Sequence, residues 1–413
     1  MISFEQFTLT NGLQVIVHED SSTTMAVLDV IYNVGSRDED ENLTGFAHLF
    51  EHLMFGGSEN IPSFDTPLQK VGGENNAFTT PDLTNYYISV PAQNIETAFW
   101  LESDRMKQLA FNTQSLETQR KVVIEEFKQR YLNQPYGDVW LKFRPLIYQK
   151  HPYRWPTIGA GIQHIEEAQM SDVKAFFQKH YVPTNAVLVV AGKVKVSEVK
   201  ALAEKWFEPI PAGVKPQRNL PVEPVQTDDR TMEIEADVPA DRIYKAYRMG
   251  GRYEPGYHTI DLMADLLGRG ESSYLYEQLV QKQRLFDTIS ASLTSSIDPG
   301  LVIVSGQVSD NVSIEVAEKA LVKAIRDFAT TSIAEKDLQM VKNQAEASLV
   351  FGEVEVLNRA MNLAMAANVG DPNLVNTEAE KLANVQKEEL ESWANKLFIQ
   401  GKSNTLYYKK IAK

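Results

Sequence analysis

Apolar and polar positions repeat with two periods along the chain, which predicts both strands and helices. Strand-like runs open the sequence, LQVIVHED and MAVLDVIYNV, and two more, TMEIEADV and DRIYKAYRM, begin its second half. Residues 75–91 alternate around a turn and predict two strands, and residues 185–193 predict a buried strand. Helical spacing marks residues 46–54 and 113–133. The mixture indicates an α+β fold in which helices cover mostly antiparallel sheets.

The two halves of the chain repeat one pattern, in which strand-like runs precede a helix that ends in glycine. Placing HLFEHLMFGG (48–57) over DLMADLLGRG (261–270) aligns the apolar positions and the final glycine. Between the halves, residues 208–230 contain five of the 18 prolines, as is typical of an extended connector. We therefore predict an internal duplication, with the metal chemistry described below in the first copy only. The predicted domain, linker and second domain are residues 1–210, 211–230 and 231–413.

Composition limits the classes of function. The chain of 413 residues has 41 basic and 55 acidic residues and a net charge of −14, which argues against a nucleic-acid partner. No apolar run approaches the roughly 18 residues needed to cross a bilayer, so no membrane span is expected. The first residues lack a secretion-signal pattern, which favours the cytoplasm; a periplasmic protein whose leader had been removed would look the same. Cysteine is absent, so any metal must be held by His, Asp or Glu.

The stretch AHLFEHLMFGG places His48, Glu51 and His52 on one predicted helix, in a chain with seven histidines. Residues four apart lie on the same helical face, so both imidazoles can reach one metal ion at about 2 Å. Glu51 lies beside that point and suits a base acting on water, and H-x-x-E-H is a zinc-hydrolase pattern. The alternative is that these are polar positions on a half-exposed helix that binds no metal. Burial of two imidazoles and a carboxylate without a ligand would be unfavourable, which counts against this alternative.

A catalytic zinc ion usually takes three protein ligands, and the long predicted helix offers Glu125 and Glu126 as the third. Glu125 shares a stripe with Lys121 and Lys128, which is typical of a solvent-facing side. Glu126 instead follows two valines by three and four positions. We therefore expect Glu126 to be the ligand. The alternative is a structural ion pair between Glu126 and Arg130.

Three segments, in this order, resemble the pitrilysin family of zinc peptidases: HLFEHLMFGGSENIP, NNAFTTPDLTNYY and VVIEEF. That family includes insulin-degrading enzyme and mitochondrial processing peptidase. HYVPTNAVLVVAGK and LLGRGESSYLYEQLV also fall in the family's order, so the resemblance covers most of the chain. It implies the processing-peptidase fold and one zinc ion per chain, with His48, His52 and Glu126 as ligands. Glu51 would be the general base that activates water.

The resemblance also implies a substrate-binding strand. Asn76, Ala77 and Phe78 match the strand to which the family adds a peptide as a further strand. Seven residues before its zinc-binding glutamate the family commonly has another glutamate, and this chain has Gln119 there. A neutral amide at that position can form hydrogen bonds close to the zinc but adds no charge.

One departure from the family concerns Val280 and Asp287, which stand where active single-chain members carry an arginine and a tyrosine. Those side chains hold substrate and stabilise the oxyanion, and neither Val280 nor ionised Asp287 can do so. We therefore expect the zinc-bearing subunit of a two-chain enzyme, whose homologous partner supplies arginine and tyrosine; a homodimer is the alternative.

The predicted function is hydrolysis of peptides or unfolded polypeptide segments inside an enclosed chamber. Two other functions compete with it. A metal-dependent lyase of small molecules shares the motif, but it explains neither the duplication nor the peptide-binding strand. A non-catalytic scaffold or binding subunit would predict loss of the metal ligands, which this chain retains.

Overall fold

The computed structural model describes residues 1–411 as strands and helices in two sheets with their covering layers. The strands are β1 Glu5–Thr8, β2 Gln14–Glu19, β3 Met25–Tyr32, β4 Glu74–Thr79, β5 Thr84–Pro91, β6 Ala186–Gly192, β7 Arg230–Ala236, β8 Arg242–Arg248, β9 Phe286–Leu293, β10 Leu301–Val308 and β11 Ser403–Lys410. No helix in the described range is long and apolar enough to cross a membrane.

The helices vary from five to 18 residues in length. They are α1 Phe46–Leu53, α2 Asp65–Lys70, α3 Ile95–Lys107, α4 Thr113–Phe127, α5 Val139–Ile147, α6 Ile162–Glu166, α7 Met170–His180, α8 Val196–Trp206, α9 Tyr257–Gly268, α10 Ile314–Thr330, α11 Glu335–Gly352, α12 Val356–Asn368, α13 Glu378–Asn384 and α14 Lys387–Asn395. Wider π-helical turns are Lys128–Leu132, Tyr276–Lys282 and Lys396–Gln400. Short 3₁₀ turns are Ser36–Asp38, Ala92–Asn94, Pro152–Arg154, Pro183–Asn185 and Pro372–Asn376.

The two sheets have the same topology. The six-stranded sheet has the order β1-β2-β6-β3-β5-β4, and the five-stranded sheet has the order β7-β11-β8-β10-β9. Without β1 the two orders correspond strand for strand, and β2–β6 and β7–β11 are both parallel. All other neighbouring strands pair antiparallel. The α+β prediction is confirmed, and the common topology is what an internal duplication produces.

Glycines in the left-handed region bound the first helix of each half, where other residues are disfavoured. Gly45 and Gly256 precede α1 and α9 with φ of 88° and 89°, and Gly57 and Gly270 follow them with φ of 98° and 76°. The predicted alignment pairs the later glycines correctly. At the helix starts it must shift by two positions, because Gly256 and Gly270 are 14 positions apart whereas Gly45 and Gly57 are 12 apart.

The chain forms two compact units, each assembled from three stretches. The first unit contains Met1–Gln129, Trp155–Pro221 and Val350–Glu378. The second contains Arg130–Arg154, Val222–Leu349 and the chain from Ala379 onward. Helix α5 from the first half thus belongs to the second unit, and α12 from the second half belongs to the first. The predicted boundaries divide the sequence into two continuous halves. The compact units do not test these boundaries, which stay a prediction.

The sheet of the first unit is buried on both faces. On one face Leu28 and Val30 of β3 pack into the core that contains Phe50 of α1. On the other face Val27 of β3 packs with Leu363 of α12. Burial on both faces explains why β3 and β6 have nearly continuous apolar sequences. Helix α1 therefore packs against a sheet that is itself buried on its opposite face.

Candidate metal centre and substrate strand

The two histidines of the motif and the predicted third ligand lie together. His48 and His52 are on α1 and Glu126 is on α4, and the two helices contact each other. Glu126 Oε2 lies 3.4 Å from His52 Nε2 and 3.7 Å from His48 Nε2. One ligand atom of each residue lies within 4.8 Å of the others. Ligands about 2 Å from a tetrahedral zinc ion lie roughly 3.3 Å apart, so this spacing fits a zinc ion.

The chemistry of these donors also fits zinc. Two imidazole nitrogens and one carboxylate oxygen form the three-ligand set of several zinc hydrolases, which leaves one coordination position open. The side chains of His48, His52 and Glu126 retain 14%, 24% and 17% of their exposure, so the centre is shielded but reachable. In residues 1–411, no other group of three His, Asp or Glu side chains has ligand atoms spaced this closely.

The two adjacent glutamates of α4 differ as the helical pattern predicts. The Glu125 side chain is 61% exposed and accepts a hydrogen bond from Lys128 Nζ at 2.7 Å. Glu126 faces α1 and lies next to both histidines. Gln119 lies on the same helix, before Glu126, and is half-buried. The structure thus separates a solvent-facing carboxylate from one that is close to the imidazoles.

Glu51 lies on α1 between the two histidines in sequence and is half-buried. Thr79 Oγ1 donates a hydrogen bond to Glu51 Oε2 at 2.5 Å. The hydroxyl groups of Tyr86 and Tyr181 are 3.1 Å apart. Burial, and then the neighbouring Tyr181, raises the pKa of Tyr86 well above its usual value, with the charge of Glu51 acting in the same direction. Burial also raises the pKa of Tyr181, so both phenols stay protonated.

The start of α1 is held by a side chain that sequence reasoning missed. Glu39 accepts hydrogen bonds from Gly45 N at 2.9 Å and from Ala47 N at 2.8 Å. The indole N–H of Trp155 donates to the same carboxylate at 3.1 Å. Gly45 itself has no capping side chain, so Glu39 satisfies N–H groups that a helix start leaves open. No local signal points to Glu39, because it reaches the helix across a loop.

The predicted substrate strand is at the edge of its sheet. β4 ends the strand order and pairs with β5 alone among the described strands, which leaves its other edge open. The predicted residues Asn76, Ala77 and Phe78 lie within it. Ala77 packs toward the core that contains α1, whereas Phe78 packs toward α12. Asn76 Oδ1 accepts a hydrogen bond from Ala77 N at 2.8 Å. An open edge beside α1 can accept a peptide as an additional strand.

The two positions that depart from the family lie in the second unit. Val280 is in the turn Tyr276–Lys282 and packs partly against the core of that unit. Asp287 is exposed on the edge strand β9, where its Oδ1 accepts a hydrogen bond from Ser309 Oγ at 2.6 Å. Arg284 is exposed at a turn with a positive φ of 53°. Neither Val280 nor ionised Asp287 is a hydrogen-bond donor.

Two protein-family models match the chain. Residues 14–145 match the model described as insulinase (peptidase family M16). Residues 168–345 match the model described as the peptidase M16 inactive domain. Together they cover most of the chain. The first match contains the H-x-x-E-H motif, β4 and Glu126, and the second contains β9 and the turn before it.

Relatives and solved structures agree with these matches. The zinc protease PqqE of Helicobacter pylori is 28% identical over 421 residues, covering 98% of this chain and 92% of that protein. A probable mitochondrial-processing peptidase subunit beta of Arabidopsis thaliana is 24% identical over 360 residues, covering 83% and 66%. A protease structure from Helicobacter pylori has a TM-score of 0.92 at 27% identity, covering 99% and 100%.

A structure from Pseudomonas fluorescens described as a peptidase M16 inactive domain has a TM-score of 0.89 at 18% identity, and the match covers 100% of this chain and 98% of that one. At this identity the likeness concerns the fold. Together the models, relatives and structures confirm the family resemblance that the motifs and their order indicated.

Proposed function

Because the chain belongs to peptidase family M16, the insulinase family, we propose that it is a zinc metalloendopeptidase acting on peptides or unfolded polypeptide segments. The main support for the proposal is the proximity of His48, His52 and Glu126, whose ligand atoms lie within 4.8 Å of one another. Relatives from Helicobacter pylori and Bacillus subtilis carry the name zinc protease, which supports the same reaction.

One zinc ion per chain would be held by the Nε2 atoms of His48 and His52 and by a carboxylate oxygen of Glu126. When bound, zinc lowers the pKa of water to about 7 and polarises a substrate carbonyl group. Gln119 is a neutral amide on the same helix as Glu126, and it would influence the centre through hydrogen bonding and not through charge.

Glu51 would act as the general base and then as the general acid. It takes a proton from the attacking water while the water oxygen bonds to the carbonyl carbon of the scissile peptide bond. As the carbon–nitrogen bond breaks, Glu51 returns that proton to the leaving amine nitrogen. The position of Glu51 beside His52, on the same helix as both histidines, supports this role.

The substrate would bind in extended form along the open edge of β4, at Asn76, Ala77 and Phe78. Backbone hydrogen bonds between strands require an extended peptide but little particular sequence, which suits unfolded segments. The chain's net charge of −14 makes it compatible with cationic peptides. An enclosed chamber formed with a partner would exclude folded proteins.

We infer that a homologous partner subunit completes the active site. Val280 and Asp287 occupy the positions of the family's arginine and tyrosine, and a second copy of this chain would carry the same two residues. A heterodimer is therefore favoured over a homodimer. The name of the Arabidopsis relative describes a subunit, which is consistent with a two-chain enzyme.

Cleavage of a quenched peptide tests both parts of the proposal. The chain is assayed alone and with a homologous chain that lacks H-x-x-E-H but carries the arginine and tyrosine. Each sample is measured before chelation, after chelation and after zinc is restored, with its zinc content determined. We expect cleavage by the pair only, lost with zinc and regained with it. Full activity of the chain alone overturns the two-chain proposal, and activity that survives metal removal overturns the peptidase mechanism.

A non-catalytic binding subunit is the second candidate function. The match of residues 168–345 to a model described as inactive, together with Val280 and Asp287, favours it. This alternative predicts that the zinc-loaded pair binds peptide without cleaving it. The same assay therefore separates the two functions, provided that peptide binding is measured in parallel.

A further inference from the structure

One hydrogen bond joins the helix of the metal centre to the candidate substrate strand. Thr79 is the last residue of β4, and its Oγ1 donates to Glu51 Oε2 at 2.5 Å. Both side chains are half-buried, so water competes only partly for this contact. Hydrogen bonds to a charged acceptor are among the stronger ones in proteins. The contact therefore restricts a glutamate side chain that would otherwise have several rotamers.

Strand geometry places Thr79 in register with the substrate-binding residues. Side chains two apart on a strand lie on the same face, so Thr79 shares the face of Ala77, which packs toward the core that contains α1. Thr79 pairs with Thr84 of β5, and Thr80 N donates to Leu83 O at 2.8 Å in the turn that follows. The hydroxyl of Thr79 is thus fixed by a closed hairpin.

The turn after Thr79 is held by further hydrogen bonds. Thr80 Oγ1 accepts from Asp82 N at 3.1 Å and from Leu83 N at 3.0 Å. At the start of β5, Thr84 Oγ1 donates to Val34 O at 2.9 Å. The end of β4 is therefore fixed against the start of β5, which is itself tied to the residues after β3.

We propose that Thr79 is a positioning residue for Glu51, an inference that rests on the proposed function. Its hydroxyl holds Oε2 and so limits the orientations in which the carboxylate can receive and return the proton. Because Thr79 belongs to the strand that the peptide extends, the same residue keeps the base in register with the scissile bond. Preorganisation of this kind acts on the chemical step and not on substrate affinity.

The test compares Thr79→Val, which has a similar shape but no hydroxyl, with Thr79→Ser, which restores the donor. Thr66→Val is the matched control, because Thr66 is exposed and its hydroxyl contacts Ser63 instead. Each protein is zinc-loaded and combined with its partner subunit. The measurements are kcat and KM for a quenched peptide, zinc affinity by competition with a chelator, and the thermal midpoint.

We expect Thr79→Val to lower kcat by about 10- to 100-fold, the range that misplaced catalytic groups produce. KM and zinc affinity should stay within about twofold, Thr79→Ser should recover most of kcat, and Thr66→Val should match the unsubstituted protein. In a Glu51→Gln background, Thr79→Val should leave peptide affinity unchanged, because Thr79 acts through Glu51. If Thr79→Val does not fold, Thr79→Ala gives the same comparison.

An unchanged kcat in Thr79→Val overturns the inference. So does a loss of zinc affinity or a rise in KM as large as the fall in kcat, because a structural role would produce that result. Failure of Thr79→Ser to recover kcat overturns it as well. Absence of cleavage by the unsubstituted pair overturns the proposed function and this inference with it, whereas cleavage insensitive to Thr79 overturns the inference alone.

Discussion

Nε2 of His52 lies 3.4 Å from Oε2 of Glu126, although the two residues come from different helices. This distance depends on the packing of α1 against α4, so it links the proposed zinc centre to the core of the first unit. Replacement of Glu126 by Gln should lower zinc affinity by at least about 10- to 100-fold. Loss of a residue that only supports a metal ligand has an effect of this size, and Glu126 is proposed to be a ligand itself. Competition with a chelator measures the affinity.

Glu125→Gln is the control for this variant, since it removes the same charge from the neighbouring residue. Glu125 is exposed and pairs with Lys128, so its loss should leave zinc affinity unchanged within about twofold. Equal effects of the two substitutions would show that net charge, and not coordination by Glu126, determines zinc binding.

Zinc should bind to the first half of the chain only, at one ion per chain. In the second half α9 carries Asp261 and Asp265, and Asp265 forms an ion pair with Arg269 at 3.0 Å. Asp261→Asn and Asp265→Asn should therefore retain one zinc, measured by metal analysis after gel filtration. Two ions per chain, or loss of zinc in either variant, would contradict this prediction.

Glu39 should stabilise both the fold and the metal centre. Its carboxylate accepts hydrogen bonds from Gly45 N, Ala47 N and Trp155 Nε1. Glu39→Ala leaves the two backbone N–H groups without this acceptor, whereas the Trp155 indole keeps Ser36 O at 2.9 Å. We expect a loss of about 1–3 kcal/mol, which lowers the thermal midpoint by several degrees. Zinc affinity should fall as well, because α1 begins at this cap. Glu39→Gln should be milder, since one carbonyl oxygen remains.

Glu59→Ala is the control, because Glu59 is an exposed carboxylate that lies outside α1. It should leave the thermal midpoint and zinc affinity near those of the unsubstituted protein. A Glu39→Ala protein that behaves in the same way would contradict the capping role.

Asp29 should make stability depend on pH. It is fully buried on β3, and Asn85 Nδ2 donates to its Oδ2 at 3.0 Å. Burial raises the pKa of Asp29 to about 7. Since the pKa is about 3.8 when the chain is unfolded, the unfolded chain releases this proton first. Stability is therefore lost as pH rises from about 4 to about 7 and is constant above that range.

Asp29→Asn removes this titration and keeps the oxygen that Asn85 contacts. The stability of the variant relative to the unsubstituted protein should increase between pH 4 and pH 7, by at most about 4 kcal/mol for a shift of this size. Thermal midpoints of both proteins across this range measure the difference. A difference that does not change with pH would contradict the assignment.

Local periodicity predicted most elements around the site. The predicted helix 113–133 is α4 followed by the turn Lys128–Leu132, and the predicted strand 185–193 is β6. These elements bury one or both faces, so their sequences record the packing directly. The H-x-x-E-H spacing is likewise local, whereas the proximity of Glu126 to the two histidines depends on the packing of α4 against α1.

Other features depend on contacts that periodicity does not record. The exchange of α5 and α12 between the compact units was not predicted, because an apolar stripe does not identify the sheet that it covers. Glu39 and Thr79 act on α1 from a loop and from a strand end, where no repeat marks them.

The rate of peptide cleavage by zinc-loaded Glu51→Gln protein, assayed with its partner subunit, shows whether Glu51 is the general base of a zinc peptidase. Glu51 is not a metal ligand in this account, so the variant should retain one zinc per chain. It should cleave at least about 100-fold more slowly than the unsubstituted pair, because it has lost the group that moves the proton. A Glu51→Gln protein that retains zinc and cleaves at the unsubstituted rate would contradict general-base catalysis by Glu51.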